Sequence, residues 1–222
     1  MSKYAKIKKA FKKIENKKQA VLMSKYMRNM FSFYGLHRPE RQEVYYNFIK
    51  EEKKSGTIDW NFLEECWNDK HREFQYLACE YLLALKNFLK YEDIERIRKF
   101  VKTKSWWDTI DSLCKVIGDI SLRDKRVKDL MLEWSLDDNF WIRRTAIEHQ
   151  LCLKGATDKE LLSKIIKNNF GSEEFFINKA IGWALREYSK TNPNWVKNFI
   201  ETNKDKMNTL SIKEGLKIIN KL

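Results

Sequence analysis

The sequence predicts an all-α protein built from repeated pairs of helices. Only seven Gly and two Pro interrupt its 222 residues, and no alternating apolar pattern bounded by turn residues indicates a strand. Four small residues fall 34 positions apart: Ala78, Ser112, Ala146 and Ala180. A fixed period of this length is typical of helical repeat proteins, in which each copy packs on its neighbours. We therefore expect a single solenoid domain over residues 1–222.

The first 18 residues predict a basic amphipathic helix. They hold eight lysines and one glutamate, in a chain whose formal net charge is +13. The apolar positions follow helical spacing: Tyr4, Ile7, Ala10, Phe11 and Ile14. Such a helix lies on a negative surface or docks on the protein itself, and we expect docking. No long apolar run follows the lysines and no stretch is long enough to span a membrane, so we expect no signal peptide, no membrane partner and a cytoplasmic protein that joins the nucleoid when bound to DNA, or a nuclear one in a eukaryote.

The next helices can be placed from turn residues and capping patterns. A second helical stretch runs from Gln19 to Met30, and Pro39 opens a third that ends between Lys53 and Gly56. Further helices are expected at Asp59–Asn68, Tyr91–Lys102, Arg126–Leu136 and Asp158–Asn169. Predicted capping residues are Ser105 before Trp106, Thr157 with Glu160, Asn192 before Pro193, and Ser211 with Glu214.

The remaining helices are the four repeat segments between residues 72 and 187. Aligned on the small residues, they cover Arg72–Leu85, Trp106–Asp119, Phe140–Leu153 and Glu174–Glu187. Two positions are apolar in every copy, giving one row of Cys79, Leu113, Ile147 and Ile181 and another of Leu83, Ile117, Leu151 and Leu185. These rows predict the buried stripe of each helix.

A second face of the repeat carries aromatic and charged residues. At about 100° per residue, Trp107, Asp111 and Trp183 project away from the buried stripe. Trp141, Lys179 and Arg186 fall on or beside the same strip. Aromatic rings and charges that share a non-core face indicate a surface for a ligand. Packing against a neighbouring layer of helices is the alternative that the periodicity leaves open.

Several functions lack their usual sequence patterns. The four cysteines and three histidines are dispersed, without CxxC or HxxxH spacing, so we expect reduced cysteines and no metal site. Neither a glycine-rich phosphate loop nor a Gly-x-Ser-x-Gly elbow occurs, which gives nucleotide hydrolysis and acyl transfer no support.

A carboxylate between tryptophans in a basic protein suits a reaction that develops positive charge on a bound polyanion. Breaking the bond between a sugar and a base is such a reaction. The sugar becomes oxocarbenium-like, and a fixed carboxylate such as Asp111 stabilises that cation and positions the attacking water. The electron-rich faces of nearby indoles favour the same cation. A solvated or cap-linked carboxylate is the alternative role for Asp111.

Long runs of the sequence resemble the AlkD-like DNA alkylation repair glycosylases. These runs are Met23–Asn29, Gly35–Arg41, Lys104–Asp108 with Asp111, and Phe175–Trp183, which continues through Leu185–Glu187 to Lys190–Pro193. The resemblance extends from about Gln19 to the last helix. It implies a curved right-handed solenoid of HEAT-like antiparallel helix pairs with a concave basic groove.

The resemblance also implies excision of cationic N3- and N7-alkylated purines from double-stranded DNA. Such a monofunctional glycosylase leaves an abasic site and needs no metal and no organic cofactor. The catalytic aspartate of the family falls on Asp111, and its two cleft tryptophans fall on Trp107 and Trp183.

DNA contacts are assigned to a further group of residues. The resemblance places the DNA-contacting arginine at Arg144, although Arg144 lies off the Trp107–Asp111 strip on the repeat wheel. The other expected contacts are Tyr26, His37, Arg38, Lys179 and Arg186. His37 and Arg38 stand where relatives present other polar residues. We expect the protein to bind duplex DNA as a monomer.

Two other functions compete with this interpretation. One is a member of the same family that binds duplex or damaged DNA without excising a base, against which the presence of Asp111 and both tryptophans argues. The other, weaker alternative is a helical-repeat protein scaffold. The Trp-x-x-Leu-Gly-x-x-Tyr pattern of tetratricopeptide repeats is missing, and a scaffold has little use for a charge of +13.

Overall fold

The computed structural model describes residues 1–221, and α-helices dominate this part of the chain. It contains thirteen α-helices, five short 3-10 turns and no strand over these residues, apart from one isolated bridge between Ser32 and His71. The prediction of an all-α protein is confirmed. None of these helices combines the length and apolar composition that a membrane-spanning helix requires.

The helices fall into two compact units, one from Met1 to Leu89 and one from Lys90 onward. The first unit contains α1 (Lys3–Lys13), α2 (Lys17–Tyr26), α3 (Arg38–Ser55), α4 (Trp60–Asn68) and α5 (Arg72–Ala84). The second unit contains α6 (Ile94–Lys102), α7 (Trp107–Ser121), α8 (Arg126–Trp134), α9 (Phe140–Glu148), α10 (Lys159–Lys167), α11 (Phe175–Ser189), α12 (Pro193–Asn203) and α13 (Thr209–Gly215).

The basic helix α1 docks on its own unit, as its amphipathic pattern predicts. Ile7 and Phe11 are buried. Two of its lysines bind acidic groups, since Lys3 lies 2.8 Å from Asp59 and Lys8 lies 2.9 Å from Asp69. Burial of the apolar stripe therefore holds the helix in place, and these ion pairs orient it.

The first helical stretch does not continue to residue 18. It ends at Lys13, because the Asn16 side chain accepts a hydrogen bond from the Gln19 backbone and starts α2. The second stretch also ends earlier than predicted, at Tyr26 and not at Met30. Arg28 and Asn29 adopt positive φ angles of 53° and 58°, which a right-handed helix cannot accommodate.

The boundaries of α3 agree with the sequence prediction. Pro39 lies in the first turn, where its missing N–H breaks no helical hydrogen bond. Gly56 ends the helix with a φ angle of 68°, a left-handed conformation that glycine adopts without a steric penalty.

The 34-residue period appears in the second unit as contacts between neighbouring copies. Helices α7, α9, α11 and α13 pack side by side in that order. Side-chain hydrogen bonds join residues 33 to 35 positions apart: Arg144 to Asp111, Cys114 to Glu148, and Lys179 to Glu214. Every residue of the two apolar rows is buried except Leu83 of α5, which is half-buried.

A fifth copy, α13, was not recognised from the small-residue pattern. Glu214 stands 34 residues after Ala180, where the other copies have Ala or Ser. Here the small residue that lets α11 and α13 pack closely is Gly182 of α11. A Cβ atom on Gly182 would lie 2.6 Å from the Cβ of Glu214. The predicted capping pair of Ser211 with Glu214 is therefore wrong. Asn208 caps α13, and the Ser211 hydroxyl donates to the carbonyl of Asn178.

Two other predicted caps are displaced by one residue. Asp158 caps α10 in place of Thr157, because its carboxylate accepts from the backbone N–H groups of residues 160 and 161. Trp106, in an extended conformation, precedes α7 in place of Ser105. The Ser105 hydroxyl instead donates to the carbonyl of Val101, at 2.6 Å, near the end of α6.

Gly118 sets the spacing between α7 and α9, which leads to a test by substitution. A Cβ atom at this position would overlap the backbone carbonyl oxygen of His149. We expect Gly118→Ala to lower the free energy of unfolding by about 2 kcal/mol or more, because a backbone atom cannot move aside. Gly155→Ala is the matched control, since no atom lies within 4 Å of its added Cβ. Urea denaturation measures both, and equal stabilities would contradict the spacing role.

Candidate active site

Helix α7 presents Trp107 and Asp111 from one face, as the sequence predicts. The two residues lie four positions apart, which places one above the other on successive turns of an α-helix. Both are half-buried, and the Asp111 side chain retains 17% of its exposure. The Asp111 carboxylate is therefore accessible from solvent, although most of its surface is covered by the protein.

Arg144 of α9 contacts Asp111 directly. Its Nη2 atom donates to Oδ1 of Asp111 at 2.8 Å, and its Nη1 atom donates to the carbonyl oxygen of Phe176 at 2.7 Å. The side chain is only 3% exposed. Its position off the Trp107–Asp111 strip was therefore a poor guide to contact. A helical-wheel projection places all copies of the repeat on one circle, so it does not show that α7 and α9 pack side by side.

A second carboxyl group, that of Glu148, meets the same guanidinium. Its Oε1 atom lies 2.7 Å from Nη2 of Arg144, and the side chain has no exposed surface. Its Oε2 atom accepts a hydrogen bond from the thiol of Cys114 at 3.8 Å. Burial, together with the charge and hydrogen bonding of Asp111, raises the pKa of Glu148 well above its ordinary value, although Arg144 opposes this shift. Burial likewise raises the pKa of the Cys114 thiol.

An aromatic cluster packs where α7, α9 and α11 begin. The ring centroid of Trp106 lies 5.9 Å from that of Trp141 and 5.2 Å from that of Phe176, and Trp141 lies 4.9 Å from Phe176. Trp141 is 7% exposed. The expectation that Trp141 belongs to the open strip is therefore wrong, and its ring is part of the core. The cluster fixes Phe176, whose carbonyl oxygen holds Arg144.

Helix α11 carries the other predicted residues of the second unit. Lys179, Trp183 and Arg186 follow at spacings of four and three residues, so they share one face, and Trp183 is half-buried. Both cations bind Glu214 of α13, with Lys179 at 2.6 Å. Burial, followed by the charges of Arg186 and Arg144, lowers the pKa of Lys179. Lys179 therefore lies within electrostatic reach of the cation that holds Asp111.

The first unit holds Tyr26, His37 and Arg38 around a cavity of about 350 Å³, together with Arg41 and Tyr76. Tyr26 is 73% exposed. The His37 backbone N–H donates to Glu40 at 2.6 Å, which orients the start of α3. Nε of Arg38 lies 3.4 Å from a carboxylate oxygen of Glu80. These three predicted residues therefore surround one opening of their own unit.

Two residues of this arrangement, Glu148 and Glu214, were not singled out as site residues from the sequence. The signal for Glu148 was its position four residues after Arg144, the spacing of an ion pair within a helix. The signal for Glu214 was its place 34 residues after Ala180. Across residues 1–221, no cluster of three His, Cys, Asp or Glu side chains has the arrangement of a metal site.

Comparisons with known proteins show the family of the chain. A family profile described as "DNA alkylation repair enzyme" matches residues 7–219. The chain belongs to this DNA alkylation repair enzyme family. A solved structure from the family, "Predicted DNA alkylation repair enzyme from Enterococcus faecalis", is 33% identical in sequence, with a TM-score of 0.86. The alignment covers 94% of this chain and 98% of that one. No match was found among curated proteins.

Loss of the buried Arg144 cation at the candidate site has a predictable cost in stability. We expect Arg144→Ala to lower the free energy of unfolding by about 3 kcal/mol, because Asp111 loses its partner in a partly buried site. Arg123→Ala is the matched control just after the end of α7, where the exposed Arg123 side chain pairs with Asp119, and we expect it to change stability little. Thermal or urea unfolding compares the two. An equal effect of both substitutions would contradict a supporting role for the buried pair.

Proposed function

We propose that this family member is a DNA glycosylase. It hydrolyses the N-glycosidic bond of cationic N3- and N7-alkylated purines in double-stranded DNA and leaves an abasic site. The observation that carries the proposal is the Asp111 carboxylate, half-buried, one turn from Trp107 and held by Arg144. Its place in a DNA alkylation repair family supplies the substrate class.

The proposed chemistry needs little from the protein beyond a fixed negative charge. An alkylated purine already carries a positive charge, so it takes the electron pair of the glycosidic bond and leaves as a neutral base. The sugar is left oxocarbenium-like, and Asp111 stabilises it and positions a water molecule. That water adds to C1′ and releases a proton. Trp107 and Trp183 offer electron-rich faces to the same cation.

Arg144 supports this chemistry by orienting Asp111. Its two terminal nitrogens bind the Asp111 carboxylate and the carbonyl oxygen of Phe176, which fixes the carboxylate between two helices. Contact between Arg144 and DNA, which the resemblance implies, stays a prediction. In the free protein the guanidinium is committed to these partners.

Phosphate contacts supply the affinity for DNA in this proposal. Lys179 and Arg186 flank Trp183 on α11, and Tyr26, His37 and Arg38 line an opening of the first unit. An excess of 13 positive charges favours any duplex with little preference for sequence. We further propose that the helices form a curved right-handed solenoid with a concave basic groove and that the chain is one domain. The protein acts as a monomer in the cytoplasm and uses no cofactor in this proposal.

Substitution of the carboxylate separates chemistry from binding. We expect Asp111→Asn to slow release of N7-methylguanine from duplex DNA by about 100- to 1,000-fold, since it removes the charge that stabilises the sugar cation. Duplex affinity should remain close to that of the wild type, because Asp111 does not face phosphate in this proposal. Chromatography of the free base and a fluorescence binding assay measure the two quantities.

Asp119→Asn is the matched control for that comparison, because Asp119 lies on the same helix, is 15% exposed against 17% for Asp111, and pairs with the exposed Arg123. Equal loss of binding and excision in Asp111→Asn would contradict the catalytic role. Duplex binding without base release, even by the wild type, would favour the non-catalytic DNA-binding alternative.

Salt dependence tests the assigned phosphate contacts. We expect Lys179→Gln and Arg186→Gln each to reduce the slope of log affinity against log salt by about 1, because each lost contact releases one counterion fewer. Lys197→Gln on α12 is the control, since that lysine is exposed on another helix. Binding titrations at several salt concentrations decide the question, and unchanged slopes for the two α11 variants would remove them from the DNA surface.

A further inference from the structure

The buried Glu148 carboxyl group contacts the same arginine as the proposed catalytic aspartate, Asp111. Its Oε1 atom is 2.7 Å from the same Arg144 nitrogen that donates to Asp111 at 2.8 Å. Two carboxyl groups therefore converge on one nitrogen of one guanidinium. Glu148 has no exposed surface, so it cannot touch DNA in this arrangement.

The charges around Glu148 do not balance if both carboxyl groups are ionised. Arg144 supplies one positive charge, and of the two carboxyl groups at its Nη2 atom only Asp111 accepts a hydrogen bond from it. Oε1 of Glu148 is buried and accepts no hydrogen bond of good geometry. A buried ionised oxygen in that condition is costly, whereas a protonated one donates its hydrogen to a neighbouring carboxylate.

Burial favours the protonated state of Glu148, and of the groups that face it the Asp111 carboxylate does so too, whereas Arg144 and the Cys114 thiol oppose it. Asp111 and Cys114 face it from α7 and Arg144 faces it from its own helix, while the charge of Arg144 also lowers the pKa of Lys179 on α11. The Cys114 thiol lies 3.8 Å from Oε2 of Glu148 and 3.8 Å from the carbonyl oxygen of Thr145, and Oε1 of Glu148 lies at the Arg144 nitrogen that Asp111 also contacts. Burial and the Asp111 carboxylate raise the pKa of Glu148 more than Arg144 lowers it.

We propose that Glu148 is a positioning residue for base excision: as a neutral acid it donates a hydrogen bond to Asp111 and leaves the charge of Arg144 to Asp111 alone. This role rests on the proposed glycosylase function. The Asp111 carboxylate is then held from below by one O–H group and one N–H group. Once ionised, Glu148 competes for Arg144, repels Asp111 and withdraws the hydrogen bond.

The experiment is a pH profile of single-turnover base release from duplex DNA that contains N7-methylguanine. It compares the wild type with Glu148→Gln, Glu148→Ala and the surface control Glu160→Gln, so that any titration of the substrate is common to all four. Glutamine keeps a neutral donor towards Asp111 at every pH, whereas alanine has none. Duplex affinity is measured for each protein in parallel.

We expect Glu148→Gln to release base at nearly the wild-type rate at neutral pH and to lack the decline that the wild type shows at alkaline pH. Glu148→Ala should be about 100-fold slower with unchanged duplex affinity, because Asp111 loses its alignment. Glu160→Gln should retain the wild-type profile. Rescue by glutamine, together with the lost alkaline decline, is an outcome that a merely structural role would not produce.

Three outcomes would overturn the role of Glu148 and leave the glycosylase function intact. Glu148→Ala could release base as fast as the wild type, or Glu148→Gln could keep the alkaline decline. The ¹³C resonance of the Glu148 carboxyl, assigned by its loss in Glu148→Gln, could report an ionised group at pH 7 where we expect a neutral one. This spectrum decides the protonation state even where Glu148→Ala does not fold. No release by the wild type or Glu160→Gln would instead overturn the glycosylase function itself, and the positioning role with it.

Discussion

The ion pair between Arg144 and Asp111 joins consecutive copies of the repeat, and the candidate site is organised around it. The period of 34 residues brings α7 and α9 side by side, so a side chain of one copy reaches a side chain of the copy before it. The other terminal nitrogen of Arg144 binds the backbone of Phe176 in α11. One guanidinium therefore links three helices, and the aromatic cluster around Phe176 and the close packing at Gly118 keep those helices in register.

Burial of charge in this protein favours a catalytic role over a purely stabilising one. A buried ion pair contributes little to stability beyond what apolar residues of the same size would contribute, because both charges must leave water. Natural proteins accept such local conflicts mainly at functional sites. Here a nearly buried arginine holds a carboxylate that still reaches solvent. A second nearly buried charge is the Glu214 carboxylate, which binds two cations on the face that carries Trp183.

Sequence reasoning predicted what depends on neighbouring residues and missed what depends on neighbouring helices. The repeat register, the start of α3 at Pro39 and its end at Gly56 follow from local rules, and Trp107 and Asp111 share a face because of their spacing. A serine hydroxyl before a helix can cap that helix or donate to the end of the previous one, and Ser105 does the latter. The choice depends on the local backbone conformation, which the residue types do not determine. The contact of Arg144 with Asp111 and the burial of Trp141 required the lateral order of the helices.

We propose that this member of a DNA alkylation repair family removes the damaged base and does not reverse the alkylation. Mass spectrometry of the products decides between these outcomes. The wild-type protein is incubated with a duplex that carries one N7-methylguanine, and both the free bases and the strand are analysed. We predict free N7-methylguanine and an equal amount of unbroken strand with an abasic site. Recovery of a strand with restored guanine, or of the unchanged lesion, would contradict the account.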